Sequence, residues 1–65
     1  MTERARLIAV YAQRLRAALG TRAIGVAAAQ RDAAEGAVRA EWDAIVAALA
    51  RADADAAAAT EHHRG

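Results

Sequence analysis

Cysteine, proline, serine, lysine and phenylalanine are all missing from this 65-residue chain. Without Cys no disulfide braces the fold, and no thiolate is available as nucleophile or soft metal ligand. Without Ser, the aliphatic hydroxyls left for nucleophilic catalysis are those of Thr2, Thr21 and Thr60, all at expected helix ends. Aromatic side chains number one Tyr and one Trp. No apolar run approaches the ~20 residues of a membrane span, and no charged-then-apolar signal region with a cleavage site is present. The expectation is a cytoplasmic protein without a membrane partner.

Large apolar side chains are scarce too. The hydrophobic fraction is 57%, but 23 of those residues are Ala, while Val, Ile, Leu, Trp and Tyr together number thirteen. A chain of this size buries only about 60% of its extended surface when folded. The remedies for so thin a core are disulfides, a metal or oligomerisation. The first is excluded and no metal set is recognisable, so association with another chain is expected, either a homo-oligomer (dimer) or a larger protein partner. No cofactor is expected.

What the chain does have is helix-forming sequence: abundant Ala and Arg, with Gly confined to positions 20, 25, 36 and 65. The fold class expected is all-α. Thr2 can cap a first helix, with Glu3 favourably placed at its positive end. Leu7, Ile8, Tyr11, Leu15, Ala18 and Leu19 then recur at helical spacing. Gly20 and Thr21 read as a helix stop followed by a new N-cap. Phase agrees, because on one continuous helix Leu19 and Val38 would lie about 100° apart whereas Ile24 and Trp42 would coincide.

The expected organisation is one small domain: helix 3–19, turn 20–21, helix 22–51 and a weakly ordered tail 52–65, forming an antiparallel helical hairpin that assembles into a bundle. The alternative is a three-helix bundle with a break near Asp32, where Asp32 and Glu35 resemble a capping box and Gly36 disfavours a helix interior by about 1 kcal/mol relative to Ala. Gly25, Ala29, Ala33, Gly36, Ala37 and Ala40 form a small-residue flank that a neighbouring backbone could approach.

In the hairpin, helix 1 runs out opposite about Val38, so Val38, Trp42, Ile45, Val46 and Leu49 would project uncovered. A patch of that kind marks an interface. Arg31 and Glu35 fall near the centre of the same apolar face; with Tyr11 they form a candidate polar cluster that would set helix register.

Charge is divided between the halves. Residues 1–31 hold six Arg and one Glu, and residues 32–65 three Arg and seven acids, or +5 against −4. Attraction between the halves, within a chain or between chains, is the simplest consequence. Arg4, Arg6, Arg14, Arg16 and Arg22, with Tyr11 nearby, give an alternative reading as a small DNA-binding or antitoxin-like regulator, although the residues after Arg22 offer little to read base edges. His62 and His63 are adjacent, point about 100° apart on a helix, and match no zinc spacing. Glu41 with Asp43, and Asp53 with Asp55, are two apart and form no carboxylate dyad on one helix face.

Residues 41–59, EWDAIVAALARADADAAAA, resemble in cadence the late helical segment of the regulatory FCD domains of GntR-type transcription regulators. Trp42 stands where that family usually has a metal-binding His, so the resemblance implies no metal or ligand site. The function expected is that of a non-catalytic helical interaction protein, a small accessory or structural subunit, and no enzyme.

Overall fold

Thr2 sets the start of the first helix: its backbone is extended and its side-chain oxygen accepts the Ala5 N–H at 3.1 Å, satisfying one of the free donors of the first turn. In the computed structural model, which describes residues 2–64 and side-chain surroundings through residue 58, the protein is all-α. Helix α1 spans Glu3–Leu19, a short 3₁₀ turn Gly20–Arg22, α2 spans Ala23–Ala33 and α3 spans Gly36–Arg64. No strand occurs among the described residues.

Gly20 ends α1 with φ 62°, its N–H donating to the Arg16 carbonyl. A side chain is unfavourable in that backbone region, which explains a glycine there. Thr21 does not serve as the expected N-cap, because it lies inside the 3₁₀ turn and α2 begins without a side-chain cap bond. The chain reverses through one turn of tight helix in place of a cap.

The helix expected to run continuously over 22–51 is interrupted at Ala34 and Glu35. Ala34 is extended, its N–H reaching back to the Arg31 carbonyl at 3.2 Å, and Gly36 takes φ 58°. Gly36 therefore adopts a conformation that an L side chain resists. The penalty of glycine in a helix interior does not apply at this position.

Helix directions follow from the ion pairs. Arg4 meets Glu41 at 2.9 Å and Arg16 meets Asp53 at 3.0 Å, a constant offset along both helices, so α1 and α3 run the same way. Arg31 near the end of α2 meets Asp43 near the start of α3 at 3.5 Å, so α2 runs against α3. Each of these pairs joins a cation of the first half to an acid of the second. The charge asymmetry is used within the chain.

The buried core is Ala12, Ala23, Ala27, Ile45 and Leu49. Three of these five are Ala, which lets helices approach closely but buries little area per residue. The small-residue flank expected to do this is instead exposed at Gly25, Ala29, Ala33, Gly36, Ala37 and Ala40. At about 1.5 Å per residue, the 29 residues of α3 account for the 44 Å long dimension of the molecule. The segment 52–64, expected to be weakly ordered, continues α3. Asp53, poorly placed for a helix end by its charge, is held by Arg16. Gly65 lies outside the described residues.

Candidate interaction surface

The residues singled out in the sequence divide between inside and outside. Ile45 and Leu49 are buried at 6% and 1% exposure, Trp42 and Val46 are half-buried, and Val38 is 58% exposed. The expected uncovered patch is thus mostly this chain's own core. The break at Ala34–Glu35 is the cause, since it turns α3 back along α1 and α2, which then cover it.

The polar cluster of Tyr11, Arg31 and Glu35 is not assembled. Tyr11 packs edge-on against Trp42, ring centroids 6.0 Å apart and planes at 64°, an arrangement favoured by the ring quadrupoles. Arg31 is shared between Asp32 at 3.4 Å and Asp43 at 3.5 Å. Glu35 sits in the interhelix link, exposed, its carbonyl accepting the Arg39 N–H at 3.4 Å. The Arg–Glu spacing of four loses its meaning once the helix breaks between the two.

Most of the exposed large apolar side chains of the described residues lie along the first half of α1, with Val26 on α2 also exposed at 38%. Leu7 is 62% exposed, Val10 40% and Tyr11 45%. Together with Val38 and the Trp42 ring they line a groove of about 860 Å³ between α1 and the start of α3. Glu3, Arg4, Arg14 and Glu41 line it as well. Arg4 and Glu41 are tied to each other, whereas among the described residues Glu3 and Arg14 have no ion-pair partner. The sequence offered Leu7 on the apolar face of the first helix and Tyr11 there and in the polar cluster, and did not single out Val10. Its spacing from Leu7 and Arg14 was the available signal.

Among the described residues no group of three or more His, Cys, Asp or Glu is placed to hold a metal ion. The side chains of His62 and His63 lie outside the described residues. No helix of the described residues is long and apolar enough to cross a membrane. The class these features define is an all-α protein with an open apolar groove along one helix seam. No protein-family model, curated protein or solved structure matches the chain.

Proposed function

We propose that this chain is a non-catalytic helical interaction protein, a cytoplasmic accessory or structural unit that docks through the groove between α1 and α3. The observation that supports this is the clustering of exposed Leu7, Val10, Tyr11 and Val38 around one concavity. Contiguous exposed apolar surface with a charged rim is characteristic of protein contact sites. The arrangement of helix directions favours the three-helix alternative over the hairpin as the folded unit. The partner surface accordingly moves from the second half of the chain to the seam it shares with α1.

The reading as a DNA-binding regulator has less support. Arg4 and Arg16, two members of its basic face, are engaged with Glu41 and Asp53, which reduces the cation available to phosphates.

A photoreactive phenylalanine analogue at Val38, in the groove, compared with one at exposed Ala47 tests the docking surface. Protein adducts from position 38, absent from position 47 and lost when Leu7→Glu is added, are the expected result. Adducts that survive Leu7→Glu, or no adducts from position 38, would overturn the reading.

A further inference from the structure

Glu3, Leu7, Val10 and Arg14 fall on one stripe of α1. At 100° per residue they span an arc of about 60°, and all four line the groove. The stripe has an acid at one end, a base at the other and two exposed apolar residues between them. Glu3 and Arg14 have no ion-pair partner among the described residues, unlike Arg4 and Arg16, which pair with Glu41 and Asp53.

This order of residues is self-complementary. Reversing the stripe and laying it on itself places Glu3 against Arg14 of the second copy, Leu7 against its Val10, and the same contacts again in the other direction. A two-fold interface requires that property: if one residue meets another, the second must meet the first across the axis. A stripe with like charges at both ends would repel its own copy, and one with charge at the centre would bury it unpaired. Val38 of α3, 58% exposed, carries the apolar area across the groove.

Resting on the docking reading above, we infer that the occupant of the groove is a second copy of this chain, its α1 packed antiparallel on the first about an axis between Leu7 and Val10. The Glu3–Arg14 pairs at the two ends set the register, and the Leu7 and Val10 side chains supply the apolar contact. The Arg4–Glu41 pair and the Tyr11–Trp42 contact stay within each chain and hold the seam that the second copy covers.

The test is solution mass across concentration for the intact chain, for Glu3→Arg, for Arg14→Glu and for their equimolar mixture, with far-UV circular dichroism on each. The intact chain is expected to dimerise. Each reversal places like charges at both ends of the interface and raises the dissociation constant about tenfold or more. In the mixture, two Arg on one chain face two Glu on the other, so a dimer of one of each returns. A dimer that both reversals leave unchanged overturns the two-fold pairing, and if Leu7→Glu also leaves it unchanged the docking groove falls with it. A chain that stays monomeric at millimolar concentration overturns the second copy as occupant, while adducts from position 38 to another protein would leave the docking reading standing. Weakening by both reversals without rescue on mixing also overturns the proposed register.

Discussion

Two seams run along α3, and they are built differently. On the α2 side, Ala23 and Ala27 are buried at 1% and 0% exposure in the cluster that holds Ile45 and Leu49. On the α1 side, the contacts include the Tyr11–Trp42 edge and the exposed Arg4–Glu41 and Arg16–Asp53 pairs, while Leu7 and Val10 stand open. Interaxial distance depends on the side chains at the contact. Alanine lines the α2 seam; on the α1 seam Ala12 is buried in the same cluster, and the Tyr11–Trp42 contact borders the open groove. A small supply of large apolar residues is thus divided: Ile45 and Leu49 are buried among alanines, while Leu7, Val10 and Val38 stay exposed.

Leu49→Ala should have the largest effect. Among the described residues Leu49 is the one large side chain fully buried, and truncations of this kind cost about 2–5 kcal/mol. In so small a domain, urea or thermal melting should show loss of most or all of the cooperative transition. Retention of the native melt would mean that Leu49 does not carry the core.

Ala27→Leu probes the closed seam from the other direction. At 0% exposure Ala27 has no room to grow, and overpacking costs about 1–3 kcal/mol. The same Ala→Leu change at exposed Ala29 should leave the melt nearly unchanged. Equal effects at the two positions would remove the distinction between sealed and open faces.

Gly36→Ala decides whether the chain reverses where the structure places the turn. With φ 58°, an Ala there should destabilise by about 1–2 kcal/mol. In a helix continuous through residue 36, the same change would stabilise by about 1 kcal/mol. The sign of the shift in melting temperature separates the two.

Leu7→Gln should have the smallest effect on the fold. Leu7 is 62% exposed, and substitutions away from buried features usually stay within about 0.5 kcal/mol. Chemical denaturation of the isolated chain at low concentration measures this. A large loss of stability would place Leu7 in the core and close the groove.

Several features were legible in the residues alone. Ala-rich sequence without Pro dictated helix, Thr2 marked the start of α1, and Gly20 marked its end, because capping and positive φ are local properties of the backbone. The opposite charges of the two halves foreshadowed the pairs from Arg4, Arg16 and Arg31 to acids on α3. The surroundings of the expected patch were harder to read. Val38, Trp42, Ile45, Val46 and Leu49 share a helical face in the sequence, but which neighbour covers that face depends on whether the chain turns at Gly36.

Local chemistry by itself determined that this protein is helical, where α1 starts and stops, and that large apolar side chains are few. The turn at Gly36, the parallel course of α1 and α3, and the exposure of Leu7 and Val10 in place of Ile45 and Leu49 were decided only by tertiary structure. The physical reason is that Gly36 is compatible with both a helix interior and a reversal. The balance between them rests on nonlocal contacts, the burial of Ala23 and Ala27 with Ile45 and Leu49, which no spacing along the chain encodes.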